Sequence, residues 1–172
     1  MARLLTGAVL AVLLSLQAQA SDTITRQHIQ QVIDETDAAA KNRDTAAIGA
    51  YLSEGFEKVI EFPYNDWMAT VRLTRKEYLD LIDEGWPALE EYEYLREATV
   101  IHVMPDGLSG HSYSTITETL SRDGTSMVSK FREHALYAME NGGPVITRIS
   151  GHTLVGDTTP EPEQKPVPVP EN

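Results

Sequence analysis

The sequence predicts an α+β fold in which N-terminal helices pack on a curved antiparallel sheet of four to five strands. Three observations predict it. In the first half, apolar residues recur at three- and four-residue spacing, the mark of amphipathic helices. After Pro87 the chain changes to long runs rich in Val, Ile, Thr and Tyr, which suit strands. Those runs are separated by Pro105-Asp106-Gly107, Asp123-Gly124 and Asn141-Gly142, and Asp-Gly and Asn-Gly are the strongest short hairpin signals. Helices followed by strands place the helices together on one face of one sheet.

Residues 1–20 come before that domain. Arg3 is their only charge, an apolar run covers 4–16, and Ala18-Gln19-Ala20 is a small-x-small site. This is the order of a secretory signal peptide, with cleavage expected before Ser21. The apolar run is shorter than the roughly 20 residues of a membrane span. The expected product is therefore exported, periplasmic or secreted, and free of the membrane. At the other end, residues 157–172 read DTTPEPEQKPVPVPEN, Pro-rich and acidic with little to bury, and are expected to form a disordered tail. The folded domain is then 21–156.

Within it, Ile29, Val32, Ile33, Thr36 and Ala40 predict a helix over 25–42. Asp44 is placed to cap a second, short helix carrying Ile48, Tyr51 and Leu52. Residues 56–62 alternate as a strand, with Pro63 as its expected end and Tyr64 to Trp67 as a loop. Thr74 and Glu77 form a capping box that opens a third helix, whose stripe is Tyr78, Leu79, Ile82 and Trp86 and which Gly85 and Pro87 close. Four strands are predicted over 92–104, 108–121, 125–140 and 144–155.

Composition excludes several functions. The formal net charge of −12 repels nucleic acid and anionic membranes. The chain has no cysteine, which excludes disulfides, thiol nucleophiles and thiolate metal sites. There is no Gly-rich phosphate loop, no serine elbow and no zinc-ligand spacing. No cofactor and no metal are expected.

Strand alternation selects candidate pocket residues. A two-residue turn at Asp123-Gly124 sets Leu120 opposite Met127 and Ile116 opposite Phe131, which makes theirs the core face. Ser114, Glu118, Ser129 and Glu133 share that face. A two-residue turn at Asn141-Gly142 sets Tyr137 opposite Ile146, Glu133 opposite Ser150 and Phe131 opposite His152, with Arg148 on the same face. The resulting polar set is Glu133, Arg148 and His152, with Glu118 farther along. Glu133 beside Arg148 would stay ionised, and His152 would exchange a proton near neutral pH. Glu133 and His152 are thus the candidate acid–base groups. Arg148, Glu118, Ser114 and Tyr137 are candidate ligand contacts, with Trp67 as a stacking residue at the rim. The structural alternative is a cross-strand Glu133–Arg148 pair with a packed histidine. His102 and His111 face each other on the outer surface if Asp106-Gly107 is a two-residue turn. If Pro105-Asp106-Gly107 carries a bulge, His102 turns inward.

The first helix with its continuation DAAAKNRDTAAIGAYLSEGF, the third helix, the four long strands and the stretch FREHALYAMENGGPVITRISGH together resemble the nuclear transport factor 2-like superfamily, including its SnoaL-like members. The resemblance spans nearly the whole domain. It implies a curved sheet wrapped around a long helix as a cone with a pocket at its open end. It also implies a homodimer through the outer sheet face, as in many relatives. Catalytic relatives use a Tyr with two acids, a Tyr–His–Asp set or an Asp–Arg–Asp set, and none of these is placed here residue by residue. The two functions carried forward are a binding or accessory protein for a small apolar ligand, and a cofactor-free lyase or isomerase acting on a small hydrophobic carbonyl compound.

Overall fold

A computed structural model describes residues 23–156. The expected signal segment (1–20) and the Pro-rich stretch (157–172) lie outside the described residues. Helix α1 (Arg26–Lys41) begins where the Thr25 hydroxyl accepts from the His28 amide at 3.1 Å, and it buries Ile29, Val32, Ile33, Ala39 and Ala40 on one stripe. Asp44 caps α2 (Thr45–Ala50), accepting from the Ala47 amide at 2.9 Å. Strands β1 (Leu52–Tyr64) and β2 (Trp67–Thr74) follow. Helix α3 (Arg75–Gly85) opens with the Thr74–Glu77 capping box and gives way to a single 3-10 turn, Trp86–Ala88. The remaining strands are β3 (Glu91–Val103), β4 (Ser109–Arg122), β5 (Thr125–Glu140) and β6 (Gly143–Gly156). Among the described residues no helix is long and apolar enough to cross a membrane.

The α+β class holds, but the sheet has six strands in the order β2-β1-β6-β5-β4-β3, and β1 runs parallel to β6. The expected sheet of four to five antiparallel strands is thereby corrected to a mixed one. The added strand comes from a hairpin read in the sequence as a loop. Tyr64 pairs with Trp67 across Asn65-Asp66, and Asn65 adopts the left-handed conformation (φ 52°) that such a turn requires. Pro63 does not end β1. The strand runs past its last β6 pair, Glu61 with His152, so no neighbour on that side asks for the missing amide.

Two bulges set which residues face inward. In β3 the pairing with β4 shifts between Glu97 and Val100, where Ala98 has φ 49°. An alanine in this conformation costs about 1–2 kcal/mol, partly offset by the extra backbone entropy glycine would lose. Ala98→Gly is therefore expected to raise stability by about 0.5–1 kcal/mol, read as a higher urea midpoint at unchanged slope. In β6 the pairing with β5 shifts by one residue between Leu136 and Tyr137: Tyr137 faces Ile146, but Leu136 faces Arg148, which leaves Thr147 as the extra residue.

The core lies between α1 and the inner sheet face, where Ile29, Val32 and Ile116 are fully buried. Helix and sheet touch closely at Gly110. A Cβ there would sit 2.5 Å from Ile29 Cδ1 and 2.9 Å from the His102 carbonyl oxygen. The Ile29 tip can move, but the strand carbonyl cannot. Gly110→Ala is expected to destabilise by about 1–3 kcal/mol, measured by urea or thermal unfolding.

Candidate ligand-binding site

Between α1, α3, the Trp86 turn and the concave face of the sheet lies a cavity of about 270 Å³. Its apolar wall is Ala40, Ile48, Ile60, Ile82, Ile146 and Ile149, with the rings of Tyr78, Trp86, Tyr92, Tyr94, Phe131 and Tyr137. Five charged side chains also line it: Asp37, Lys58, Arg96, Glu118 and Glu133.

Four of the five are paired. Arg96 on β3 spends its whole guanidinium. Nε donates to both Asp37 oxygens at 2.9 and 3.0 Å, Nη1 to Glu133 Oε1 at 2.9 Å, and Nη2 to the Tyr94 hydroxyl at 2.8 Å. Lys58 Nζ lies 3.6 Å from the other Glu133 oxygen and over the rings of Tyr78 and Phe131. Burial alone would push the Glu133 carboxyl up, but Arg96 and Lys58 outweigh it and hold the group below its ordinary range. Asp37 goes the other way: burial raises it, and its share of Arg96 only partly compensates.

Glu118 is the exception. It accepts from the Tyr92 hydroxyl at 2.8 Å, and among the described residues no ion pair joins it to a cation. Burial raises its pKa, while the Tyr92 hydrogen bond and the more distant Lys58 charge pull the other way. The same burial raises the phenols of Tyr78, Tyr92 and Tyr94, and pushes Tyr137 up to about 12. All four stay protonated and can donate. The cavity therefore presents one carboxyl without a cation partner, at Glu118, on a wall whose other charges are paired.

Of the residues singled out from sequence, Glu133, Glu118 and Tyr137 line this cavity, and the Tyr137 hydroxyl is 2.9 Å from Ser112 Oγ. Ser114 is buried on the expected face, but its hydroxyl is taken up by Thr99 at 3.1 Å. The expected facing of Arg148 and His152 is overturned. The extra residue at Thr147 turns the β6 side chains from Arg148 to Thr153 over, so Glu133 opposes Gly151, Arg132 opposes His152 and Phe131 opposes Thr153; a second shift at Leu154 ends the inversion. Arg148 lies on the outer face, 3.4 Å from Glu57 without hydrogen-bond geometry, and half-exposed His152 is 3.4 Å from Glu61. Glu133 thus has Arg96 and Lys58 as partners, not Arg148. Trp67 is 59% exposed and stacks edge-on against Tyr64 at the tip of the β1–β2 hairpin. His102 faces His111 on the outer side, the facing expected from a two-residue turn, although the connection is a longer one: the Met104 amide donates to the Ser109 carbonyl and the Gly107 amide to the Met104 carbonyl.

Sequence reading missed Lys58, Arg96, Asp37, Tyr92 and Tyr94. Lys58 carried a usable signal, because Phe56, Lys58 and Ile60 alternate on the core face of β1. Arg96, Tyr94 and Tyr92 carried none that counting could use. Stepping back from an outward His102 puts all three outside, and only the Ala98 bulge brings them in.

The fold is similar to that of solved structures described as nuclear transport factor 2-like, which superpose on most of the chain. One structure of similar fold is a scytalone dehydratase candidate from Novosphingobium aromaticivorans (10% identity, 84% of this chain and 94% of that one, TM-score 0.63). Another is a type 3 hexachlorocyclohexane dehydrochlorinase, LinA, from Novosphingobium barchaimii (13%, 84% and 94%, 0.61). A third is a nuclear transport factor 2-like protein from Cytophaga hutchinsonii (13%, 76% and 98%, 0.61). At these identities the likeness concerns the fold alone. No family model matches the sequence, and no curated protein matches it either.

Proposed function

We propose that the chain is an exported binding protein whose cone takes up one small, mostly apolar molecule bearing a polar end, without a cofactor. The observation that carries this reading is the cavity itself, an aromatic and aliphatic chamber with one uncommitted carboxyl, the usual make-up of a small-molecule site. Gly151 offers a test. It faces inward beside Phe131, and a Cβ there would meet nothing closer than 3.6 Å. Gly151→Val should fold normally and narrow the chamber beside Phe131. Native mass spectrometry and calorimetry with a panel of small ketones, alcohols and aromatic carbonyls should detect binding to the parent chain, lost in the variant. Equal binding by both would place the ligand elsewhere.

A second reading is acid–base catalysis on a small carbonyl compound, by elimination or isomerisation. Glu118 supports it. A carboxyl whose pKa is raised by burial and which has no cation partner is a better proton acceptor than Glu133, which two cations clamp. In this reading the proton-transfer role expected of Glu133 and His152 passes to Glu118, with the Tyr92 phenol orienting it.

A homodimer through the outer sheet face is the partner reading, supported by the exposed apolar side chains of Leu95 and Val128, toward the end of the sheet away from the histidines. Light scattering should return twice the chain mass. A monomer at micromolar concentration would contradict it.

A further inference from the structure

On the outer face, three histidines stand in a row across β3, β4 and β5. His102 is directly opposite His111, and His134 lies on the diagonal from His111, one pair beyond. His111 Nδ1 and His134 Nε2 are 3.4 Å apart. The His134 ring lies flat against Tyr113, centroids 4.3 Å apart and planes at 8°, which fixes its orientation. The cavity makes no use of these side chains, and neither reading of its function involves them.

We infer that His111 and His134 form a two-ligand site for a divalent transition-metal ion, with zinc as the best fit. The separation is the reason. Two imidazole nitrogens each about 2.0–2.1 Å from a tetrahedral zinc stand about 3.3 Å apart, so the 3.4 Å spacing of the two rings matches that of ligands sharing an ion once each ring turns its lone pair toward it. Among the described residues no group of three or more His, Cys, Asp or Glu side chains is placed to hold a metal. The chain therefore supplies two ligands, and water completes the shell. Imidazole donors suit zinc, copper and nickel rather than magnesium or calcium.

Neutral imidazole is the form that binds. Arg148 is the nearby charge that opposes a cation, and Glu57 at 3.4 Å partly neutralises it. In the metal-free pair one contacting nitrogen donates a proton to the other. Binding moves that proton to the far nitrogen of the same ring, so no net proton need be released.

Zinc is the probe, titrated calorimetrically into the full chain at pH 7.5 after its mass has been read by light scattering. The expected result is one zinc per chain. His111→Ala and His134→Ala should each weaken binding at least tenfold, and His28→Ala and His152→Ala should change it less than twofold, with circular dichroism unchanged throughout. At pH 5.5 binding to the parent should fall as protons compete for the imidazoles. Unchanged binding in both ligand variants, loss on changing His152, or one zinc shared by two chains would overturn the assignment.

Discussion

Arg96→Met is expected to destabilise the domain by about 3–5 kcal/mol, the usual cost of removing one partner from a buried ion pair. The size follows from the geometry. Arg96 is the shared partner of Asp37 and Glu133, all three side chains are at most 16% exposed, and the substitution leaves two buried carboxylates with Lys58, beside Glu133, as the remaining cation partner. Adding Glu133→Gln and Asp37→Asn to Arg96→Met removes the stranded charges and should recover most of the loss. A triple variant no more stable than Arg96→Met would show that packing of the arginine stem, not charge, set the cost. The same network has a pH signature. Glu133 is depressed in the folded state, so its contribution is present above the unfolded pKa and fades as pH falls through the folded one. Asp37 and Glu118 are raised, so they favour folding at low pH and lose that contribution as pH rises through their folded values. Glu133→Gln should flatten the acid limb of the stability curve, and Glu118→Gln should remove part of the decline on the rising side.

The second large effect concerns chemistry. If Glu118 carries protons, Glu118→Gln should slow hydrogen–deuterium exchange at the carbon next to the carbonyl of a bound ketone by about 10²- to 10⁴-fold, the ordinary worth of a positioned acid–base group. Folding should be unimpaired, because the amide keeps the acceptor that Tyr92 donates to. Tyr92→Phe, which loses only the orienting hydrogen bond, should slow exchange less and move its pH dependence toward higher pH, since that hydrogen bond lowers the Glu118 pKa. Parent chain and Glu118→Gln exchanging a bound ketone at the same rate would remove the catalytic reading and leave the binding one standing.

The elements were largely legible because each had a local cause. The apolar stripe from Ile29 to Ala40, the Thr74–Glu77 box and the Asp123-Gly124 and Asn141-Gly142 turns act within a few residues, and each appears where the sequence puts it. The β4–β5 register followed from its turn, and with it the inward facing of Glu118 and Glu133. The rest of the site depends on single extra residues within strands. Thr147 and Ala98 have no Gly or Pro to mark them, yet one sends Arg148 and His152 outward and the other brings Tyr92, Tyr94 and Arg96 inward. Pairing by alternation carries forward every such slip, so the acid was found and its partners were not. β2 was missed for a different reason: Asn65-Asp66 is a weaker turn signal than Asn-Gly, although Asn65 takes the same left-handed conformation.

The central claim is that the cone is a chamber for a small molecule whose polar end meets Glu118. It is tested most directly by a crystal structure of the chain purified without any step that strips bound compounds. Density is expected for a compact molecule among Tyr78, Trp86, Tyr92 and Phe131, with a polar atom within hydrogen-bonding distance of the Glu118 carboxyl. A chamber closed up by Phe131 and Trp86, with Glu118 turned to solvent and no space left among the rings, would contradict it.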